Sequence, residues 1–248
     1  MSGNSWLHYL KKLKPYNIQK GLRYLKHYGP KEFWIRLCER MEPEEVPYGP
    51  WFESHRPSPE ELERQRKKKW KNPLLISVAV PAWQTPPGFL EQMIRSVKEQ
   101  TYPHWELCIA NAGGEKEMEQ VLARYAAEDA RIRVKNLGGN LGIAGNTNEA
   151  LAMARGDFVG LLDHDDLLAP QALFRIAEVL TADAQADAVY TDEDKVTTDL
   201  TEHFQPHFKP DFNLDLLRSN NYITHFFVVR KGLAETAGGF RKEFDGAQ

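Results

Sequence analysis

Asp163, Asp165 and Asp166 stand close together in the stretch GLLDHDDLLAP, directly after an apolar run that begins at Phe158. Carboxylates held at the end of a rigid strand can bind a hard divalent cation, which keeps several waters and recruits phosphate oxygens. The same D-x-D-D pattern is also typical of a solvated turn before a helix, here one with Pro170 near its start. The stretch therefore predicts either a site for a metal and a diphosphate, or a turn without a ligand.

Short apolar segments alternate with helical patterns in the part of the chain that contains these aspartates. The predicted strands are 74–80, 105–110, 132–136, 157–163 and 187–192, and the predicted helices between them are 89–100, 115–127, 144–154 and 170–180. Strands this apolar, separated by helices, indicate a parallel sheet covered on both faces. Because ligands of such sheets bind beyond the carboxyl ends of the strands, we expect the aspartates at a binding edge.

Length and composition favour one main domain with an appendage. The chain has 248 residues, 42% of them hydrophobic, which is enough for one substantial core. Cys38 and Cys108 are too far apart for a disulfide framework or a zinc-ligand spacing, and two isolated cysteines favour a reducing, cytoplasmic setting. No secretory leader and no apolar run of about 18 residues occurs, so we expect neither secretion nor a membrane span.

The first 72 residues differ in charge from the rest. They hold 16 Lys and Arg against nine Asp and Glu, whereas the remainder holds 16 against 26. We predict a basic helical extension and a proline-rich connector over 1–72, with Ser58 capping a short helix, and the main domain over 73–248.

Within residues 1–40, leucine and aromatic residues alternate with Lys and Arg at helical spacing, with breaks predicted at Pro15, Gly21 and the pair Gly29–Pro30. Short amphipathic helices of this composition could bind an anionic membrane surface or an acidic partner. Packing of their apolar faces on the main domain is the alternative. Nucleic acid is not expected, because no binding motif accompanies the charge.

Five segments resemble, in family order, the family-2 glycosyltransferases of the GT-A fold, and they cover nearly all of residues 74–248. The segments are ISVAVPAWQTPPGFLEQMIRSVKEQTYPHWELCIANAGG, NLGIAGNTNEALAMARGDFVGLLDHDDLLAP, YTDEDK, FKPDFNLDLLRSNNYITH and GGFRKEFDGAQ. The resemblance implies an α/β fold with a Rossmann-like, mostly parallel sheet flanked by helices. It is strongest to bacterial members that build O-antigen and other cell-surface polysaccharides, which often carry a similar helical extension.

This resemblance also implies an activity. Such enzymes transfer a sugar, with inversion, from a nucleotide-diphospho sugar to a hydroxyl of a glycan or lipid-linked acceptor, with Mn²⁺ or Mg²⁺ as cofactor. The implied location is cytoplasmic, with peripheral attachment to the inner face of the plasma membrane as a further expectation. Two other functions stay open: a nucleotide-sugar-binding module without turnover, and a sugar nucleotidylyltransferase. The latter would need a glycine-rich, basic phosphate loop, and PAWQTPPG contains no Lys or Arg.

The resemblance carries over residue by residue on the donor side. Asp163 and Asp165 match the D-x-D that contacts the donor ribose and the metal, and Asp165 is our first choice of metal ligand. The other residues expected around the nucleotide sugar are Pro81, Trp83, Asn111, Asn140, Gly142 and Asn148. For the glycines of this region, a tight strand-to-helix turn is an equally good explanation.

On the acceptor side, Asp192, Glu193 and Asp194 match an acidic loop that faces the cleft, and His225 matches a histidine after the Asn-Tyr-Ile segment. A solvated loop and a partly buried imidazole with structural partners are the alternatives for these residues.

Two departures from the family pattern affect the donor base. Asn111 and Ala112 stand where most relatives have an acidic pair, and Ala112 cannot accept a hydrogen bond from a pyrimidine N3–H. Trp83 and Gln84 replace a common Tyr-Asn, which enlarges an aromatic wall that could stack on a base.

A third departure concerns the general base. In relatives, Asp-Tyr-Asp-Leu follows the segment that corresponds to GFRKEFDGAQ, and its first Asp is placed to deprotonate the acceptor hydroxyl. We therefore expect the usual base beyond Gln248, with Asp245 as the candidate inside this sequence.

Overall fold

The computed structural model describes residues 15–41 and 47–245 of the chain, which forms two compact units that divide between Trp51 and Phe52. Helix α1 covers Pro15–Met41 and α2 covers Tyr48–His55. The predicted break at the Gly29–Pro30 pair is confirmed, because Gly29 has a φ of 83° inside α1. The predicted break at Gly21 is wrong, because the helix continues through this residue, and a single glycine costs a helix only about 1 kcal/mol. Residues 1–14 of the basic extension lie outside the described residues.

The second unit alternates strands and helices. Its elements are α3 Pro59–Lys67, β1 Ile76–Ala82, α4 Pro87–Lys98, β2 Trp105–Asn111, α5 Lys116–Glu128, β3 Ile132–Asn136, α6 Gly142–Met153, β4 Phe158–Leu161, α7 Ala172–Ala182, β5 Ala188–Tyr190, β6 Glu193–Val196, β7 His203–His207, α8 Leu214–Ser219, β8 Phe227–Arg230 and α9 Lys231–Thr236. A short 3₁₀ turn follows at Lys242–Phe244. The nine strands and helices predicted between residues 74 and 192 are confirmed, with ends that agree within two residues.

A six-stranded sheet in the order β3-β2-β1-β4-β8-β5 forms the centre of this unit. Strands β3, β2, β1 and β4 run parallel to one another, and β8 is antiparallel to both β4 and β5. Strands β6 and β7 form a separate antiparallel hairpin. The predicted α/β fold with a mostly parallel sheet is therefore confirmed.

The two faces of the sheet differ in side-chain size. Val78 and Val80 of β1 lie in the larger core, among leucine, isoleucine and aromatic side chains from α4, α5 and α7. Ala79, which points to the other face, packs with Ala110 and with Ala150 of α6. Small side chains on that face let α6 approach the sheet closely. Alternate residues of one strand thus fill different cores, as expected for a sheet with both faces covered.

The arrangement of the last strands was not predicted. The segment 187–192 was expected to continue the parallel series beside β4, but β5 lies at the edge and β8 separates the two. The chain leaves the sheet after Tyr190, forms the β6–β7 hairpin and α8, and returns as the antiparallel β8. The apolar run Phe226–Val229 was the sequence signal for this strand.

Helix α3, predicted as part of a connector, packs against the sheet unit. Ser58 caps it, since its Oγ accepts a hydrogen bond from Glu61 N at 3.2 Å, which confirms the predicted cap. Gln65 is 4% exposed and accepts a hydrogen bond from Thr101 Oγ1 at 2.7 Å. The buried amide fixes this helix against the end of α4. Within residues 15–41 and 47–245, no helix combines the length and the apolarity that a bilayer crossing requires.

Glu106 is a buried carboxylate in β2. It accepts hydrogen bonds from Ser77 Oγ at 2.7 Å, from Arg155 N at 2.6 Å and from Arg133 Nη1 at 3.2 Å. Burial opposes ionisation, but these three donors and the charge of Arg133 hold the pKa of Glu106 below its usual range. The carboxylate therefore links β1, β2, β3 and the turn before β4, close to the amino ends of the strands.

We predict that Glu106→Gln lowers the free energy of unfolding by about 1–3 kcal/mol, because it leaves a buried donor without its charged acceptor. A group with a depressed folded-state pKa stabilises the fold above its unfolded pKa, and that contribution disappears as pH falls through the folded value. The difference in free energy of unfolding between wild type and Glu106→Gln, measured by urea titration, should therefore become smaller as the pH is lowered from neutral to acidic. Exposed Glu99→Gln is the control and should change stability by less than about 0.5 kcal/mol. A gap that stays constant with pH would contradict this role.

Candidate functional site

The carboxyl ends of the parallel strands meet at one edge of the sheet. Ala82, Asn111 and Asn136 are the last residues of β1, β2 and β3. Asn111 pairs with Ala82 on one side and with Asn136 on the other. Strand β4 ends at Leu161, beside β1, so the loop that begins at Leu162 starts from the same edge. This is the edge at which the sequence predicts a ligand.

The antiparallel strand β8 adds residues from much later in the chain to this edge. Leu161 of β4 pairs with Phe227 of β8, which pairs in turn with Tyr190 of β5. Because β8 runs antiparallel, the residues that precede Phe227 lie beside those that follow Leu161 and Tyr190. Phe226 packs its ring against Gly160, where a Cβ atom would overlap it. Any larger residue at position 160 would therefore have to displace the Phe226 ring, which lies directly before the start of β8.

Asp163, Asp166 and His225 consequently form a group whose potential ligand atoms all lie within 4.8 Å of one another. His225 Nε2 is 3.6 Å from Asp163 Oδ2 and 3.9 Å from Asp166 Oδ2. Asp163 is exposed, and the other two side chains are half-buried. Two carboxylates and one imidazole can together bind a divalent cation.

The electrostatics of the group favour a cation. Burial raises the pKa of Asp166, the negative charges of Asp163, Asp165 and Glu193 raise it further, and the proximity of His225 has the opposite effect. Burial is the largest of these effects, and the repulsion from the neighbouring carboxylates adds to it. A cation bound between them would offset this repulsion.

Asp165, our first choice of ligand from the sequence, is placed differently. Its carboxylate is exposed, and Oδ1 lies 3.8 Å from Nδ1 of the preceding His164. It is not part of the group that Asp163 forms with Asp166 and His225. Its role as a ligand stays a prediction. Asp166, which the sequence analysis included among the three carboxylates but did not match to the D-x-D, is the second aspartate of the group.

The loops after β1 and β2 are joined and surround a second part of the edge. Gln84 N donates to Gly113 O at 3.0 Å, and the Trp83 side chain is 46% exposed. Pro81, the second-last residue of β1, is half-buried. Trp83 thus offers an exposed aromatic surface beside the ends of β1 and β2.

Asn111 is almost completely buried, and both ends of its amide have partners. Its Nδ2 donates to Asn136 Oδ1 at 2.9 Å, and its Oδ1 accepts from Gly113 N at 3.1 Å. The adjacent Ala112 is 3% exposed and its N donates to Ala82 O at 2.8 Å. Asn111 therefore ties the ends of β2 and β3 together in this structure.

The turn before α6 contains a local network. Asn140 Oδ1 accepts from Gly142 N at 2.9 Å and from Asn146 Nδ2 at 2.8 Å. Gly142 has a φ of 83°, and an added Cβ would lie 2.8 Å from Asp245 Oδ2. Asp245 Oδ1 accepts a hydrogen bond from Ala144 N at 2.8 Å. A carboxylate thus caps the amino end of α6, and glycine is needed at position 142 for both its φ and the space.

Asn148 lies further along α6, and its amide binds a distant turn. Its Nδ2 donates to Phe240 O and its Oδ1 accepts from Phe240 N, each at 2.8 Å. The contact leaves little space at Gly239, where an added Cβ would lie 2.6 Å from Asn148 Oδ1. Asn148 therefore fixes the turn that follows α9.

The three residues of the predicted acidic loop have separate partners. Asp192 Oδ1 accepts from Lys209 N at 2.7 Å, and Asp194 Oδ2 lies 2.9 Å from His203 Nδ1. Glu193 contacts the group of Asp163, Asp166 and His225 directly, because its Oε2 accepts from His225 N at 3.2 Å. Burial opposes ionisation of Glu193, but hydrogen bonds from His207 and Thr224 and the charge of Lys209 hold its pKa below the usual range.

The chain matches the family described as glycosyl transferase family 2 over residues 77–238. It is 35% identical over 215 residues to the O-antigen biosynthesis protein RfbC of Myxococcus xanthus, which corresponds to 86% of this chain and 17% of that protein. The chain thus spans less than a fifth of that relative's length.

Solved structures show the same fold. Residues 1–349 of TarS from S. aureus in complex with UDP superimpose with a TM-score of 0.57 at 19% identity, over 70% of this chain and 52% of that one. The mannosyltransferase PcManGT from Pyrobaculum calidifontis in complex with GDP-Man and Mn²⁺ gives 0.50 at 20% identity, over 73% and 53%. These similarities confirm the predicted GT-A fold.

We predict that Asp163→Asn and His225→Ala each weaken Mn²⁺ binding, measured by calorimetric titration, because each removes one of three clustered ligand atoms. His203→Ala is the matched control for His225→Ala, since His203 pairs with Asp194 away from the group. It should leave the affinity unchanged. Asp165→Asn distinguishes Asp166 from Asp165 as the second aspartate ligand. If Asp165→Asn weakens Mn²⁺ binding while Asp163→Asn and His225→Ala do not, the arrangement described above is contradicted.

Proposed function

Because the chain belongs to glycosyl transferase family 2, we propose that it transfers a sugar from a nucleotide-diphospho sugar to a hydroxyl group of a glycan or lipid-linked acceptor. The observation that carries this proposal is the group formed by Asp163, Asp166 and His225 at the carboxyl edge of the sheet. Diphosphates of nucleotide ligands bind at such edges, and a cation there would face them. The similarity to an O-antigen biosynthesis protein of Myxococcus xanthus supports a role in cell-surface polysaccharide synthesis.

The residues of this group fit a divalent cation. Carboxylate oxygens select hard cations such as Mn²⁺ and Mg²⁺, and a single neutral imidazole nitrogen can complete a mixed set. We propose Mn²⁺ or Mg²⁺ held by Asp163, Asp166 and His225, with Asp165 as a further candidate beside them. A bound cation would offset the charge that develops on the departing nucleoside diphosphate. The complex of the mannosyltransferase PcManGT with GDP-Man and Mn²⁺ supports this assignment.

For the donor, we propose that the nucleotide lies along the loops after β1, β2 and β3. Trp83 is exposed there and could stack on the base, and Pro81 and Asn111 would shape the pocket beneath it. Asn140, Gly142 and Asn148 would act by fixing the backbone of the turn and of α6 rather than by direct hydrogen bonds, since their amide groups already have partners. The complex of TarS with UDP supports a nucleoside diphosphate ligand.

For the chemical step, we propose direct in-line attack by an acceptor hydroxyl, which inverts the anomeric centre. The rigid strand ends contribute by holding donor and acceptor in line, so that the reaction behaves as an intramolecular one. A carboxylate must also take the hydroxyl proton, a contribution of typically 10²–10⁴ in rate. Asp245 stays our candidate among residues 47–245, with its Oδ2 not engaged by the hydrogen bond to Ala144 N.

We predict that the chain binds UDP or GDP with Mn²⁺ at least tenfold more tightly than without it, an increase of about 1.4 kcal/mol in binding free energy. Isothermal titration with both nucleotides at matched ionic strength measures this. Asp163→Asn should remove the metal-dependent part and leave the thermal unfolding midpoint of the metal-free protein unchanged.

Turnover is tested with the corresponding nucleotide sugars and a polysaccharide acceptor, by release of nucleoside diphosphate and by NMR of the new anomeric centre. Acceptor-dependent release with inverted configuration is expected. Nucleotide binding that is indifferent to metal, or a product with retained configuration, would contradict the proposal.

A separate proposal concerns residues 1–40, which we assign to an anionic membrane surface on the cytoplasmic side. In the described part of this segment, Trp34 is 64% exposed and Leu22 is 60% exposed. Arg23 and Lys26 are exposed before the break of α1 at Gly29, and Lys31 is exposed after it. Exposed aromatic, aliphatic and basic side chains on short helical segments are typical of interfacial binding.

We predict that Lys26→Glu with Lys31→Glu weakens co-sedimentation with phosphatidylserine vesicles at low salt by tenfold or more, since each basic residue near such a surface contributes about 1 kcal/mol. The control is Lys116→Glu with Lys242→Glu, which changes the net charge equally at exposed positions of the other unit. An equal loss of vesicle co-sedimentation in the two double variants would indicate an effect of net charge and contradict a specific role of α1.

A further inference from the structure

Lys209 is a buried lysine beside the group of Asp163, Asp166 and His225. It lies between β7 and α8, and its side chain is 1% exposed. Lysine normally extends its ammonium into water, so complete burial requires several compensating partners. Burial lowers the pKa of Lys209, while the charges of Glu193 and Asp192 act in the opposite direction.

The partners of Lys209 are backbone atoms of the segment that carries His225. Its Nζ donates a hydrogen bond to Ile223 O at 2.5 Å and another to His225 O. The Nζ also lies 3.7 Å from Glu193 Oε2. The ammonium therefore connects the two carbonyl groups to a carboxylate of the neighbouring hairpin.

Glu193 holds the same segment through its donors. It accepts hydrogen bonds from His225 N at 3.2 Å and from Thr224 Oγ1 at 2.7 Å. Thr224 has a φ of 40°, a left-handed conformation that costs a β-branched residue energy and persists only when the surroundings fix it. His207 Nδ1, 3.0 Å from Glu193 Oε1, fixes the carboxylate on its other side.

Both backbone polar groups of His225 are thus held by one ion pair, in which Lys209 is buried and Glu193 is half-buried. Glu193 holds the N–H and Lys209 holds the C=O. The backbone position of His225 determines where its side chain begins, and the imidazole Nε2 lies within 4 Å of a carboxylate oxygen of both aspartates. We propose that Lys209 is a positioning residue for His225, acting with Glu193 to hold the imidazole in the geometry that binds the cation. This inference rests on the proposed function, because it presupposes that the group binds a metal.

The test is Mn²⁺ affinity, measured by calorimetry and by the loss of the free-Mn²⁺ electron paramagnetic resonance signal, for the 248-residue chain and its Lys209→Met variant. Removal of a residue that orients a metal ligand typically weakens metal binding about 10–100-fold, and we expect a loss in that range. The matched control is Lys195→Met. Lys195 lies on β6, the strand that contains Glu193, and its exposed Nζ donates to Gln205 Oε1 at 3.0 Å. This variant should bind Mn²⁺ as wild type does.

Thermal unfolding without metal shows whether each variant is folded. If Lys209→Met does not fold, Glu193→Gln takes its place, since glutamine removes the charge but retains an acceptor for Thr224. A folded Lys209→Met with wild-type Mn²⁺ affinity would overturn the proposal, and so would a folded Glu193→Gln with that affinity if Lys209→Met is unfolded.

The His225→Ala variant distinguishes the metal site from the positioning role. If His225→Ala weakens Mn²⁺ binding and Lys209→Met does not, the positioning role is overturned and the metal site remains supported. A wild-type chain that binds no Mn²⁺, or a His225→Ala variant with unchanged affinity, would contradict the metal site and the positioning role with it.

Discussion

The insertion of one antiparallel strand into a parallel sheet determines the candidate site. Strand β8 pairs with β4 on one side and with β5 on the other, and its register places Phe227 between Leu161 and Tyr190. The three chain segments that meet beyond this row supply Asp163, Glu193 and His225. A shift of β8 by one residue would turn its side chains to the opposite faces of the sheet and separate His225 from the aspartates. Phe226 packs on Gly160, where an added Cβ atom would overlap its ring, and this contact favours the observed register.

The polar groups near the paired residues Leu161, Phe227 and Tyr190 form an outer layer and a layer beneath it. Asp163, Asp166 and His225 face the solvent-accessible edge and carry the atoms that could bind a cation. Beneath them, Lys209 and Glu193 hold the backbone that presents His225. Removing Glu193 would leave the buried charge of Lys209 without its carboxylate partner, which is expensive. This supporting layer gives the edge a fixed geometry, although its residues lie in loops and the hairpin rather than in the main sheet.

The sequence predicts the parallel part of the fold well because each of its strands and helices has a strong local signal. β-Branched runs such as that of β1 and the periodic apolar residues of α4 and α5 specify an element type within a few residues. The aspartates at the end of β4 and the binding edge follow directly from that arrangement. His225 was named only through the family resemblance, since no local pattern shows that it lies beside Asp163.

What the sequence did not predict depends on contacts between distant segments. Asp166 joins the group because the loop after β4 folds back towards β8, and an aspartate three residues from another is equally typical of a helix start. Lys209 follows Phe208 in a loop where a lysine is usually solvated, so its burial has no local sign. Asp245, our candidate base, caps α6 through Ala144 N, a contact between residues far apart in sequence that periodicity and motif spacing do not encode.

The central claim is that Asp163, Asp166 and His225 bind the cation that accompanies the nucleotide-diphospho sugar. Anomalous diffraction at the manganese edge, from crystals grown with Mn²⁺ and a nucleoside diphosphate, tests it most directly. We expect one manganese peak in direct contact with a carboxylate oxygen of each aspartate and with His225 Nε2, with the diphosphate on its solvent side. A manganese ion bound through Asp165 with His225 turned away, or a diphosphate bound at this edge with no manganese beside it, would contradict the claim.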